Sequence, residues 1–178
     1  MNLELKNIKH TAWASEETNC YQASLYLDGK PLATVSNDGK GGADDHYQHS
    51  AFKKENFRKS FFDMMTEIDD YFKGLPKKKY HHEYSAFKVD APRNGAKSYE
   101  YELEMDLEIW CGEQLEKWQF AKDMKKIMRT KHLCKDEKGF FTCPHEVKVA
   151  RIIRDNPKTI ILNDLPFDEA LTLYMGEA

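Results

Sequence analysis

The chain has 178 residues, with 27 Lys and Arg against 30 Asp and Glu, which gives a formal net charge of −3 at neutral pH. So small a charge provides no global field for nucleic acid or an anionic membrane, and no apolar run approaches the about 20 residues of a membrane span. The first residues lack the apolar core of a signal peptide. The four scattered cysteines are too few for a disulfide scaffold. These features predict a soluble, cytoplasmic protein that does not bind membranes.

The first 36 residues have the pattern of β-strands joined by turns. Apolar side chains occupy every second position from Tyr21 to Leu27, which is the period of a half-buried strand. Asp28-Gly29 suits the positive φ of a hairpin loop. Together with strand-like segments at 3–12 and 32–35, this pattern predicts a three-stranded antiparallel meander.

Residues 55–72 change to a helical period. One wide apolar face recurs at steps of three and four, through Phe57, Phe61, Met64, Met65, Ile68, Tyr71, Phe72 and Leu75. This face predicts a helix that ends at Gly74 and covers one face of the sheet. Residues 76–98, which include the three lysines at 77–79, are interpreted as a polar connection.

The second half of the chain predicts a further helix and a small unit. Residues 99–105 alternate strictly, and helical spacing follows, so a strand that leads into a helix as far as about Arg129 fits both patterns. A helix from Glu100 onward is the alternative. A hairpin near 132–143, a short helix and a final helix complete a single α+β domain over 1–178. Within it, residues 1–75 and 98–178 form candidate sub-units.

The glycine-rich segment after the third strand is the first candidate site. It contains Asn37, Asp38, Gly39, Lys40, Gly41 and Gly42. Successive backbone amides in such a loop can form an anion-binding nest, with Lys40 as the counter-charge. The segment lacks the Gly-Lys-Ser/Thr ending of a phosphate-binding loop and the spacing of an EF-hand. A tight loop at the exit of a strand is the alternative interpretation.

An acidic row is the second candidate, a partner-binding site formed by Glu100, Glu102, Glu104, Asp106 and Glu108. Alternate residues of a strand share one face, so the row predicts a line of negative charge that could contact a basic protein surface. The alternative is a strand or helix face that charge keeps soluble.

A symmetric set of metal-ligand residues is the third candidate, formed by His132, Cys134, Cys143 and His145. A hairpin would bring all four to one face, and Zn²⁺ accepts two sulfurs and two imidazoles in a tetrahedron. Against zinc, structural sites prefer Cys-x-x-Cys spacing, and Pro144 interrupts one pair. Buried thiols beside surface histidines are the alternative, with no cofactor.

Two segments of the chain resemble a group of small proteins encoded by tailed phages and prophages. The similar residues are SEET at 15–18, YLDGK at 26–30 and NDGKGG at 37–42, followed by ILNDLPFDEAL at 161–171. The resemblance implies a phage accessory protein of the host cytoplasm. It implies no activity, so no functional residue is carried over, and the Cys/His set is not part of it.

These observations predict a non-enzymatic phage protein that binds a host protein, with an anti-defence inhibitor as the more specific form. Two alternatives stay open. One is binding of nucleic acid or a nucleotide through the glycine-rich segment, Lys40 and the lysines at 77–79. The other is a small zinc-binding protein or enzyme that uses the Cys/His set.

Overall fold

A computed structural model describes residues 1–83 and 98–176. The chain divides into two compact units, Met1–Gly112 and Glu113–Ala178. The strands are β1 Leu3–His10, β2 Tyr21–Leu27, β3 Lys30–Asn37, β4 Asp45–Gln48, β5 Lys78–Glu83, β6 Ser98–Leu103, β7 Lys131–Asp136, β8 Gly139–Pro144 and β9 Ile160–Ile161. The α-helices are α1 Lys54–Phe57, α2 Phe61–Lys73, α3 Leu107–Met128, α4 Val149–Asp155 and α5 Phe167–Met175. The predicted α+β class is confirmed.

The N-terminal sheet is antiparallel in the order β1-β2-β3-β4. The alternating side chains of β2 are all buried, namely Tyr21, Ala23, Leu25 and Leu27. The predicted meander is therefore confirmed, and β4 extends it by pairing with β3 from Ala33↔Gln48 to Ser36↔Asp45. This fourth strand has no apolar alternation in its sequence, which is why the pattern did not predict it.

The predicted helix over 55–72 is divided into two. Arg58 has a φ of 57°, which ends α1 in the left-handed region. Ser60 then caps α2, because its hydroxyl accepts from Asp63 N at 3.2 Å and the Asp63 carboxylate accepts from Ser60 N at 3.2 Å. The helix is followed by Gly74, as predicted. Its buried face consists of Met64, Ile68 and Phe72.

The α2 helix lies beside the N-terminal sheet. Met64 of α2 and Leu27 of β2 line the same small cavity. In α1, which precedes this helix, Asn56 O accepts a hydrogen bond from Lys30 Nζ of β3 at 2.9 Å. The buried apolar face of α2 contributes to the core of the first unit.

A charged hairpin replaces part of the predicted polar connection. β5 pairs antiparallel with β6, with Tyr80 opposite Tyr101. The prediction of a polar connection is therefore wrong for residues 78–83, which form a strand. Residues 84–97 lie outside the described residues. Exposed ion pairs join Lys77 to Glu104 at 3.1 Å and Lys79 to Glu102 at 3.7 Å. The alternative of a helix from Glu100 is wrong, because the strand continues to Leu103 before α3 begins.

The second unit has a three-stranded sheet in the order β8-β7-β9. The predicted hairpin is confirmed, with His132 opposite Cys143. One core cluster of this unit consists of Met124, Leu133, Leu162, Ala170 and Leu171. Along the described ranges 1–83 and 98–176, no helix is both long and apolar enough to cross a membrane.

Candidate functional site

The glycine-rich segment is closed by the side chain of Asn37, the last residue of β3. Only 8% of Asn37 is exposed. Its Oδ1 accepts from Thr18 Oγ1 at 2.6 Å and from Gly39 N at 2.9 Å. Its Nδ2 donates to Gly42 O at 3.2 Å and to Asp44 Oδ1 at 3.1 Å. The buried side-chain amide of Asn37 therefore fixes both ends of the loop, and its oxygen and nitrogen both have hydrogen-bond partners, as is usual for buried polar groups.

Gly39 joins this loop to the connection between β1 and β2. Its carbonyl oxygen accepts from Glu16 N and Glu17 N, each at 2.9 Å, and from Thr18 N at 3.3 Å. Gly39 has a φ of +85°, and a β-carbon there would lie 2.1 Å from Ala14 O. Only glycine permits this close approach in that backbone conformation. The glycine-rich segment therefore supports the connection that precedes β2.

The connection itself is tied at its base. Thr11 N donates to Cys20 O at 2.9 Å, and Cys20 N donates to Ser15 Oγ at 2.9 Å. The Ser15 hydroxyl in turn lies 3.1 Å from Thr11 O, to which it donates. Residues 11–20 therefore form a closed loop, named here the Trp13 loop, with a 3-10 turn at Ala12–Ala14.

Trp13 lies in the 3-10 turn of the Trp13 loop and is 88% exposed. It is the most exposed of the large apolar side chains in residues 1–83 and 98–176. Sequence reasoning missed this residue. The signal was present, because Trp13 is flanked by Thr11, Ala12, Ala14 and Ser15, whose side chains are too small to cover an indole. A large apolar ring held in water by a hydrogen-bonded loop is available for contact with a partner.

Three backbone amides of the predicted anion nest already donate hydrogen bonds to side chains of the protein. Gly39 N donates to Asn37 Oδ1 at 2.9 Å, Lys40 N to Asp38 Oδ1 at 3.1 Å and Gly41 N to Thr18 Oγ1 at 3.3 Å. The Lys40 side chain is exposed. This geometry favours the interpretation of a tight loop at the exit of a strand, because an incoming anion would compete with three internal acceptors.

A buried polar cluster lies next to the same loop. The Tyr21 hydroxyl donates to the Asp44 carboxylate, which also accepts from Asn37 Nδ2 at 3.1 Å. Burial, the nearby Cys111 and this hydrogen bond raise the pKa of Tyr21 well above its usual range. Burial and the Asp44 charge raise the pKa of the Cys111 thiol to about 12. A thiol with that pKa is protonated at neutral pH, so Cys111 is unsuited to nucleophilic catalysis.

The acidic row does not form one continuous strand face. Glu100 and Glu102 lie in β6, whereas Glu104 follows the strand and forms its ion pair with Lys77. Asp106 caps α3 instead, since its Oδ1 accepts from Ile109 N at 2.7 Å. Glu108 lies in the first turn of α3. The row is therefore divided between a hairpin, a cap and a helix.

The β7–β8 hairpin brings the Cys/His set together on one side. The His132 and His145 ring centroids are 4.7 Å apart. Cys134 is fully buried, and burial together with the adjacent Cys143 raises the pKa of its thiol to about 11. Even so, within residues 1–83 and 98–176 no three His, Cys, Asp or Glu side chains are arranged to hold a metal ion. The present geometry is that of two neighbouring thiols beside two imidazole rings that are tilted by 55° relative to each other.

Comparisons with protein-family models, with curated protein sequences and with solved structures find no match for this chain. Trp13 and the loop that holds it are therefore the features of this chain that bear most directly on function.

Proposed function

We propose that this chain is a phage-encoded accessory protein that acts in the host cytoplasm by binding a host protein. In the more specific form of this proposal, the chain inhibits a host defence system. The observation that carries the proposal is the 88% exposure of Trp13 in the 3-10 turn of a hydrogen-bonded loop. The phage origin is supported by the resemblance of residues 15–42 and 161–171 to small phage proteins.

Tryptophan at such a position is suited to a protein interface. Trp is enriched among the few residues that dominate binding free energies, and one buried aromatic side chain covers about 150–250 Å². The later part of the Trp13 loop is already fixed by Gly39 O, which accepts the amide protons of residues 16–18. Because the loop is ordered before contact, association loses less conformational entropy than it would with a flexible segment.

The nucleic-acid alternative has less support from the geometry. The three loop amides donate internally, and Lys77 and Lys79 each lie within ion-pair distance of a glutamate. Neutralised lysines release fewer counterions on binding a phosphate backbone, so they contribute less affinity.

A pull-down from host lysate tests the proposal with a matched pair of variants. The wild-type chain and Phe62→Ala are expected to retain one protein at equal stoichiometry. Trp13→Ala is expected to lose it, with affinity at least about 30-fold weaker, which corresponds to about 2 kcal/mol. Phe62 is the control because it is also a large apolar residue and is 78% exposed, but lies on α2.

Equal retention by Trp13→Ala and the wild type would remove Trp13 from the interface. Treating the lysate with nuclease distinguishes the alternative, because a partner bridged by nucleic acid is lost after treatment. The absence of any specific protein at high bait concentration would count against the proposal as a whole.

A further inference from the structure

The second unit contains an open cleft that the proposed function does not use. It has a volume of about 510 Å³ and lies between the end of α3, the β7–β8 hairpin and α5. Its walls include Lys126, Ile127, Thr130, Lys131, Thr142 and Tyr174. Pockets that bind small molecules have volumes of about 300–1,000 Å³. The cleft is therefore large enough for a small organic ligand.

The strand register accounts for the polar groups on the hairpin side of the cleft. Lys131 pairs with Pro144, and Leu133 pairs with Thr142. Because alternate residues of a strand share one face, Lys131, Leu133 and Thr142 lie on the same face of the sheet. Leu133 belongs to the core cluster that contains Met124 of α3. Lys131 and Thr142 therefore lie on the face of the hairpin that is turned towards α3.

The apolar part of the cleft is formed by Tyr174 and Ile127. The Tyr174 ring centroid lies 5.8 Å from that of Phe120 and 5.3 Å from that of Phe140, with interplanar angles of 87° and 80°. Such edge-to-face contacts are a favoured arrangement of aromatic rings. Ile127 lines the cleft on the α3 side and is half-buried. One side of the cleft is thus a fixed apolar surface that includes an aromatic ring.

The two lysines of the cleft have charges that can reach a ligand. Lys126 and Lys131 are both exposed. Along residues 1–83 and 98–176, no carboxylate lies within ion-pair distance of either ammonium group. They differ in this respect from Lys77 and Lys79, each of which lies close to a glutamate. Asp123 also lines the cleft, so two lysines and one aspartate give it a net charge of +1.

The segment that borders the cleft is strongly basic. Residues 122–131 contain five cationic side chains and one acidic side chain, a net charge of +4, whereas the whole chain has −3. The cations are Lys122, Lys125, Lys126, Arg129 and Lys131, and the acid is Asp123. The helix dipole favours cations at the end of α3, but it does not account for Lys131, which begins β7. Clustered charge of one sign raises the local concentration of a ligand of the opposite sign.

We propose that this cleft binds a phosphate monoester carried on a planar ring, of the chemical class of a nucleoside monophosphate. Such a phosphate carries a charge of about −1.5 to −2 at neutral pH and has three acceptor oxygens. It can therefore accept from Lys126, Lys131 and the Thr142 hydroxyl together, whereas a carboxylate has only two oxygens. The ring contacts Tyr174 and Ile127, since nucleobases stack on aromatic side chains.

Amide chemical shifts of the full chain, titrated with adenosine 5′-monophosphate at low ionic strength, test the site. The amides of Thr130, Lys131 and Thr142 should shift with a Kd below about 1 mM. Adenosine, which lacks the phosphate, should bind at least about tenfold more weakly, and so should inorganic phosphate, which lacks the ring. No saturable shift at these amides, or an equal affinity for adenosine, overturns the proposal. An equal affinity for inorganic phosphate overturns the contribution of the ring.

Lys131→Gln and Lys138→Gln form a matched pair of variants. Lys138 is an exposed lysine in the turn of the same hairpin and does not line the cleft. Lys131→Gln should raise the Kd of the monophosphate at least about tenfold, and Lys138→Gln should raise it less than about twofold. Equal weakening by the two substitutions would overturn the site, because it would show attraction to the overall charge only. The amide spectrum of each variant verifies that it is folded.

The same monoester occurs in a free nucleotide and at the 5′ end of a nucleic-acid strand. A further arm therefore compares adenosine 5′-monophosphate with tetra-adenylate that has, or lacks, a 5′-phosphate. Tighter binding of the phosphorylated strand assigns the phosphate to a strand end, and tighter binding of the monophosphate assigns it to a free nucleotide. Equal binding of the two strands, together with weak binding of the monophosphate, overturns the proposal. Trp13→Ala should bind the monophosphate as the wild type does, so this test and that of the proposed function can fail separately.

Discussion

A β-carbon on Gly39 would stand 2.1 Å from the carbonyl oxygen of Ala14. This contact joins the glycine-rich segment to the 3-10 turn that contains Trp13. The glycine-rich segment therefore supports a surface loop that lies more than 20 positions earlier in the chain. Their role is to permit close backbone packing, and the exposed indole is the group available for contact with a partner.

Gly39→Ala should be markedly more destabilising than Gly42→Ala. Both glycines have positive φ, of +85° and +96°, so both substitutions place alanine in an unfavourable region. Gly42 has nothing within 4 Å of the added β-carbon, whereas Gly39 meets backbone. We expect a loss of about 1 kcal/mol in the free energy of unfolding for Gly42→Ala and about 3 kcal/mol for Gly39→Ala. Urea denaturation measures both, and equal losses would contradict the close approach at Ala14.

Trp13→Phe should leave stability almost unchanged while altering the fluorescence of the chain. Because Trp13 is 88% exposed, the change in unfolding free energy should stay within about 0.5 kcal/mol. Acrylamide should quench the Trp13 emission most readily, so the variant loses the most accessible component. Trp118→Phe is the control, since Trp118 is half-buried. If both variants lost the same quenchable fraction, the exposure of Trp13 would be wrong.

The parts of the fold that the sequence predicts are those with an apolar period. The alternation in β2 and the three- and four-residue steps of α2 both describe one buried face, and both elements form as expected. By contrast, β4 and β5 lack apolar alternation, and each is held by backbone pairing with a neighbouring strand that the sequence pattern does not reveal. The break at Arg58 depends on a single left-handed residue, which periodicity does not detect.

The candidate sites depend on contacts between residues that are distant in sequence, which local patterns do not predict. The side chain of Asn37 is bonded to Thr18, which is 19 positions away, and no local pattern encodes that pair. Residues that look like ligands in sequence, such as Lys40 and its neighbours, are therefore indistinguishable from residues that close a loop. Trp13 had a local signal, namely a large ring among small neighbours.

The buried Tyr21–Asp44–Cys111 cluster predicts a loss of stability in alkali. Folding raises the pKa of Tyr21 above its reference of 10.0 and the pKa of Cys111 from 9.0 to about 12. Below about pH 8 both groups are protonated in both states, so their contribution is fully present. As the pH rises further, the unfolded chain releases these protons first. The free energy of unfolding then falls by up to about 1.4 kcal/mol per pH unit for each group, for Cys111 until about pH 12.

Urea denaturation of the wild type, Tyr21→Phe and Cys111→Ala between about pH 7 and pH 11 checks this dependence. Each variant lacks one of the two groups, so its stability should decline less steeply above about pH 9. Only the slope is compared, because each substitution also changes stability at neutral pH. Identical slopes in all three proteins would show that neither group changes its pKa on folding.

Asn163 should be the polar residue on which the second unit depends most. Its Oδ1 accepts from Leu133 N at 2.7 Å, and its Nδ2 donates to Met128 O at 3.3 Å and Lys131 O at 3.2 Å. One side chain thus ties the end of α3 and the strand β7 to the 3-10 turn Leu162–Asp164. Asn163→Ala leaves Leu133 N and Met128 O, which are partly buried, without these hydrogen bonds and should lower the free energy of unfolding by about 1–3 kcal/mol.

Asp164→Ala is the matched control, because Asp164 belongs to the same turn and is exposed. It should change stability by less than about 0.5 kcal/mol. Asn163→Asp separates the two halves of the network, since a carboxylate still accepts from Leu133 N but cannot donate to the two carbonyls. Its loss should lie between those of Asp164→Ala and Asn163→Ala, because the hydrogen bond from Leu133 N is retained. A neutral Asn163→Ala would show that water replaces all three hydrogen bonds.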